Sequence, residues 1–137
     1  MNCLGCELAN QLLETNVVFE DDYVTCILDI EPLNEGHTLI LTKKHYRDLE
    51  EMDESTTRSV MKASIIISKS LKGIYKPDGI SIMQNGGIFN DLEHYHMHVF
   101  PRYKEDGFGW VEPHNISQNP LDQVKTKIIE ELRSICK

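Results

Sequence analysis

The residues best suited to chemistry are His94, His96 and His98, in the run His94-Tyr95-His96-Met97-His98-Val99-Phe100-Pro101-Arg102. Alternate side chains of an extended strand face opposite ways, so this spacing predicts all three imidazoles on one face and Tyr95, Met97 and Val99 on the other. A row of imidazoles is a poor choice for a core, because each ring brings two nitrogens that need partners. Beside a purely structural role, two chemistries fit. Neutral imidazole is a common metal ligand, and a His-x-His pair on a strand makes a clamp. Alternatively one ring is a nucleophile toward phosphorus while its neighbours orient it and bind the anion. Three residues at this spacing spread over about 13 Å, so at most two share one tetrahedral ion.

The elements that must position these rings can be read along the chain. Cys3 and Cys6 form a Cys-x-x-Cys pair, which in a reducing compartment points to a metal or redox element rather than a structural disulfide; no thioredoxin-like pattern surrounds it. Glu7 to Glu14 reads as a short helix with Leu8 and Leu12 facing inward. Val17–Glu20 and Val24–Asp29 read as a hairpin around Asp21-Asp22, with Val24, Cys26 and Leu28 on the core face and Asp29 on the other. His37 opens a strand over Thr38–Thr42, with Leu39 and Leu41 following at period two. A long helix is expected from Asp53 or Ser55 to Lys72, burying Val60, Ser64, Ile67 and Leu71, with Gly73 as the stop. Gly79–Asn85 reads as a strand ending in a Gly86-Gly87 turn, whose backbone N–H groups are available to a phosphate. Beyond Arg102, Trp110 reads as a packing or subunit-contact residue and His114 as a surface residue. Asn119-Pro120 then starts a helix whose stripe of Leu121, Val124, Ile128, Leu132 and Ile135 is expected to close the domain.

At 137 residues and 40% hydrophobic, the chain suits a single compact domain, residues 1–137. It shows no run long enough for a membrane helix and no secretory leader, so a cytoplasmic location is expected. A net charge of −8 disfavours extended nucleic acid as a partner, and no membrane partner is expected. A small phosphorylated ligand held by local groups remains compatible. Cys26 and Cys136 stand alone and read as small buried hydrophobes.

The pattern His94-Tyr95-His96-Met97-His98-Val99-Phe100 resembles the signature of the histidine triad (HIT) family, in which three histidines alternate with apolar residues. Residues 28–45, with His37 among them, resemble the first block of that family. The resemblance implies an α+β fold: a mainly antiparallel sheet of about five strands with two main helices, plus a short N-terminal helix, in a protein that pairs as a homodimer. It implies His96 as a nucleophile at the α-phosphorus of a nucleotide, forming a nucleotidyl-histidine that hydrolyses to a nucleoside monophosphate. His98 and His37 would complete the catalytic set. Asp29 would hold the ribose, and Asn85, Asn90 and Asp91, with His98, would belong to the binding site of an adenosine or other purine nucleotide. Similarity to zinc-containing bacterial HIT proteins implies a structural Zn2+ on Cys3, Cys6, His45 and His94. The Phe-Pro-Arg ending of the motif looks closer to the dinucleoside polyphosphate hydrolases than to the nucleoside phosphoramidases. One departure stands out: Asp91 lies where the family has Ser or Thr, placing a carboxylate near the phosphate and making Mg2+ a candidate companion of the substrate. A zinc metallohydrolase using the triad as ligands and a non-catalytic nucleotide-binding dimer are the competing readings.

Overall fold

The computed structural model describes residues 2–114, 116–117 and 119–137. Its framework is a five-stranded sheet, entirely antiparallel, built from β1 (Val17–Glu20), β2 (Val24–Leu28), β3 (Thr38–Thr42), β4 (Gly79–Met83) and β5 (His96–Arg102) in the order β1-β2-β3-β5-β4. With helices α1 (Leu4–Ala9), α2 (Glu54–Tyr75) and α3 (Leu121–Ile135), this is the expected α+β class.

Period-two alternation along β5 separates two jobs. Tyr95, Met97 and Val99 pack with Val24, Cys26 and Ile40 against Val60, Ala63, Ile67 and Leu71 of α2. The opposite face carries the imidazoles, Ile27, Leu39 and Leu41, and receives Ala9 of α1. The sheet is therefore covered by α2 on one side and in part by α1 on the other. Asp53 caps α2, its Oδ1 accepting from the Thr56 N–H at 2.8 Å.

Several sequence-based expectations shift. Helix α1 ends at Ala9 rather than Glu14; Asn10 donates to the carbonyls of Cys6 and Lys43, and Gln11 turns left-handed, leaving Leu12 exposed. Leu28 is exposed at the end of β2, whereas Thr25 and Ile27 are buried, because α1 covers the second face. Helix α2 runs through Gly73 and stops at Lys76, which takes the left-handed cap itself. Strand β4 ends at Met83, and a 3-10 turn over Gly87–Phe89 precedes β5 in place of a tight hairpin. The Gly87 N–H is committed to Asp48 Oδ1 at 3.0 Å, so it is not offered to a phosphate. Pro120 is the cap of α3 rather than its first residue, and Cys136 is exposed. Helix α3 buries none of its residues, so it does not close the chain's own core. Among the described residues no helix is long and apolar enough to cross a membrane.

A candidate active site beside a candidate metal centre

β5 begins at His96, and His94 precedes it, turned in by Glu93 at φ 49° and tied by the Tyr95 N–H to the Tyr46 carbonyl at 2.7 Å. Across the ladder His96 faces Leu41 and His98 faces Leu39, while β4 puts Met83 against His98. His37, just ahead of β3, thereby comes beside His98.

Backbone partners decide which nitrogen of each ring is free. His94 Nε2 lies 2.7 Å from the Thr42 carbonyl, which accepts only, so Nε2 carries the proton and Nδ1 keeps its lone pair. His96 Nδ1 donates to the carbonyl of His94 at 2.9 Å, leaving Nε2 as a lone pair facing the cleft. The Leu33 N–H donates to His37 Nδ1 at 3.1 Å, so His37 carries its proton on Nε2 and donates to His98 Nδ1 at 2.9 Å. His98 is left with an Nε2–H donor. Successive triad rings thus present a lone pair at Nδ1 of His94, a lone pair at Nε2 of His96 and an N–H donor at Nε2 of His98.

Burial, with the neighbouring His96 and His37, pushes His98 down to about 4, so its ring is neutral at neutral pH. His37 and His94 are also lowered, by burial first, and Asp29 partly offsets the effect at His37.

Cys3, Cys6, His45 and His94 converge. Each sulfur lies 3.4 to 3.5 Å from each of the two Nδ1 atoms, which are 3.3 Å apart. Tetrahedral zinc at ordinary bond lengths requires roughly 3.6 Å between sulfur and nitrogen and roughly 3.3 Å between nitrogens, so the four donors fit that ion as a closed set. Burial and the adjacent Cys3 push the Cys6 thiol up to about 11, so neighbouring thiolates here call for a compensating cation. Asp29, His37 and His98 also cluster, but the facing nitrogens of the two rings are occupied by their mutual hydrogen bond. Both His94 nitrogens point away from His96 and His98, which removes the arrangement in which all three triad rings hold one metal.

Beside His96 and His98 lies a cleft of about 440 Å³, with apolar walls from Leu8, Ile27, Leu39 and Leu92 and carboxylates from Glu14, Asp29, Glu31 and Asp91. Asp29 Oδ1 accepts from the Glu31 N–H at 2.8 Å, and its Oδ2 lies 3.6 Å from His37 Nε2. Asp91 Oδ1 lies 3.4 Å from His96 Nε2. Asn85 is exposed just past β4 and does not line the cleft. Asn90 is buried; its amide donates to the Arg47 carbonyl at 2.8 Å and accepts from the Leu92 N–H at 3.2 Å, fixing the loop that carries Asp91.

Gly5 is a contributor that the sequence reading missed. A Cβ there would lie 2.4 Å from Cβ and Cγ of His94, so only glycine lets α1 approach the histidine. Its position between the two cysteines was the available signal. Arg102 does not line the cleft: it holds Asp106, Ser81 and the Phe108 carbonyl.

Residues 10–105 match the HIT domain family. An uncharacterised HIT-like protein of Borreliella burgdorferi is 40% identical over 113 residues, covering 80% of this chain and 81% of its own length. The adenylylsulfatase HINT3 of Arabidopsis thaliana is 31% identical, covering 96% and 68%. The adenosine 5'-monophosphoramidase hnt1 of Schizosaccharomyces pombe is 25% identical, covering 80% and 84%. Among solved structures, a HIT family protein from Bacillus subtilis superposes with a TM-score of 0.84 at 28% identity, over 95% of this chain and 96% of that one. A zinc-bound histidine triad protein from Mycobacterium smegmatis gives 0.73 at 28% identity, over 84% and 85%.

Proposed function

The chain belongs to the HIT domain family, and on that premise we propose that it is a nucleotide hydrolase or transferase that cleaves at the α-phosphate through a nucleotidyl-His96 intermediate. The single observation that carries this reading is the His96 ring itself: Nδ1 donates to the His94 carbonyl at 2.9 Å, so Nε2 keeps its lone pair and faces the cleft, with Asp91 Oδ1 3.4 Å away. That pair forms the bond to the α-phosphorus, the bond to the leaving group breaks, and its electrons depart with the leaving group. Water then cleaves the phosphorus–nitrogen bond, releasing a nucleoside monophosphate and restoring the ring. His98 donates Nε2–H to a phosphoryl oxygen, His37 holds His98 in that orientation, and Asp29 is the acceptor for ribose hydroxyls. Asn85 would reach the phosphate only by turning inward, and Asn90 acts through the loop it fixes.

The relatives with named activities, an adenylylsulfatase and an adenosine 5'-monophosphoramidase, support an adenylyl-type group as the common part of the substrate. The Phe-Pro-Arg ending resembles that of the dinucleoside polyphosphate hydrolases, and its Arg102 serves the following loop rather than the cleft. Zn2+ on Cys3, Cys6, His45 and His94 would supply a structural tie, since four protein donors leave no position for a reacting water. Those same residues pin α1 and His94, and His94 in turn sets the carbonyl that orients His96.

The test is release of nucleoside monophosphate from adenosine phosphoramidate and diadenosine polyphosphates by the protein and by His96→Asn, with and without magnesium. Turnover is expected to fall at least about a thousandfold in the variant at unchanged zinc content. Equal rates would remove His96 from the chemistry.

A further inference from the structure

The cleft beside His96 carries negative charge where a polyanionic substrate needs positive charge. Glu14, Asp29, Glu31 and Asp91 line it, and among the described residues no Lys or Arg does. Cations on neighbouring segments are paired elsewhere: Lys43 with Glu20, Arg47 with Glu93, Arg102 with Asp106. A nucleotide site built for several phosphates ordinarily sets Lys, Arg or a divalent cation against them.

Asp91 is the carboxylate that matters most. Its Oδ1 lies 3.4 Å from His96 Nε2, and its side chain is 85% exposed. A near-attack phosphorus stands about 3 to 3.5 Å from its nucleophile, so the carboxylate sits at the same distance from Nε2 that the α-phosphorus must reach. Being exposed, it can swing aside, but its short side chain on a loop fixed by Asn90 keeps it within reach of the phosphoryl group and the bond that breaks. One phosphoryl charge is unavoidable in the reaction; every further negative charge on the leaving group faces this carboxylate.

Resting on the nucleotidyl-transfer reading above, we propose that Asp91 is a specificity-determining residue that filters leaving groups by charge, admitting amines and disfavouring phosphate, polyphosphate and sulfate. For an amine, the bridging nitrogen binds in its protonated form, the proton coming from solvent and its N–H bonding to the Asp91 carboxylate. His96 Nε2 forms the bond to phosphorus, the phosphorus–nitrogen bond breaks, its electron pair stays on nitrogen, and a neutral amine departs. An anionic leaving group has no such donor and meets the carboxylate directly.

Two measurements test this, one independent of turnover. The first is binding of AMP, ADP and ATP without added divalent cations; affinity is expected to fall at least tenfold from AMP to ATP in the native protein and to flatten in Asp91→Asn and Asp91→Ser. The second is the ratio of kcat/KM for adenosine phosphoramidate to that for diadenosine tetraphosphate, expected to drop at least tenfold in both variants. An unchanged ladder and ratio in the variants would overturn the filter while leaving nucleotidyl transfer standing. Absence of turnover on both substrates, with the binding ladder as expected, would overturn nucleotidyl transfer and with it the leaving-group filter, leaving Asp91 a charge selector in binding alone. Magnesium strengthening ATP binding in the native protein but not in Asp91→Asn would identify Asp91 as a cation ligand and overturn the filter.

Discussion

At the scale of single residues, the chemistry of this face is chosen by main-chain atoms. The Thr42 carbonyl frees Nδ1 of His94, the His94 carbonyl frees Nε2 of His96, and the Leu33 N–H sends the His37 proton to His98. Gly5 belongs to the same set, because its missing side chain is the space His94 occupies. Gly5→Ala forces α1 away from His94 and with it Cys3 and Cys6; zinc affinity is expected to fall at least about tenfold, read by competition with a chromogenic chelator. Native-like affinity in that variant would show that α1 can shift without moving its cysteines. The triad spacing and the Cys-x-x-Cys pair were legible because residue type and interval carry them. Thr42, Leu33 and Gly5 were not, because their roles arise from register and close approach, which side-chain identity does not encode.

At the scale of elements, β3 and β5 do the assembling: their register sets His96 against Leu41 and His98 against Leu39, and His37 follows as the residue entering β3. Alternation made both faces of β5 readable in advance, and the buried face of α2 likewise. What escaped were ends and coverings, namely the early stop of α1 at Ala9, the left-handed cap at Lys76 where Gly73 seemed the natural stop, and the burial of Thr25 and Ile27 under α1. The first and last depend on hydrogen bonds between α1 and the sheet, and α2 runs past Gly73 as far as Tyr75, which packs against the core. The packing of His37 and His98 against the sheet also has a consequence for pH. His98 sits at about 4 in the fold against 6.5 when free, so the unfolded chain binds the proton first. Its contribution is therefore fully present above about pH 6.5 and is lost as pH falls toward 4, by up to roughly 3 kcal/mol. Urea unfolding between those limits should show stability rising with pH, and His98→Gln should flatten the slope. A slope unchanged in His98→Gln would assign it to other groups.

At the scale of the whole molecule, the apolar surface is larger than the chain can cover. Leu121, Ile128, Leu132 and Ile135 of α3 are 50 to 72% exposed, and no residue of α3 is buried. Met61 and Ile65 of α2 stand beside Ile82 of β4 on a second apolar patch, and β4 is an edge strand with unpaired backbone groups. An edge strand flanked by exposed Ile and Met invites pairing with another chain, and the arrangement suits a second copy meeting the first across β4 and α2. We expect a homodimer by sedimentation equilibrium, converted to monomer by Ile65→Glu or Ile82→Lys with the far-ultraviolet spectrum unchanged. Charge gives this expectation a further handle. Each copy carries −8, so association brings like charges together, and the dimer should tighten with added salt as the Debye length falls to about 3 Å near 1 M. An interface held by ion pairs would weaken instead. A native chain that stays monomeric at all salt concentrations would mean that α3 and the β4 patch are covered by something other than a second copy.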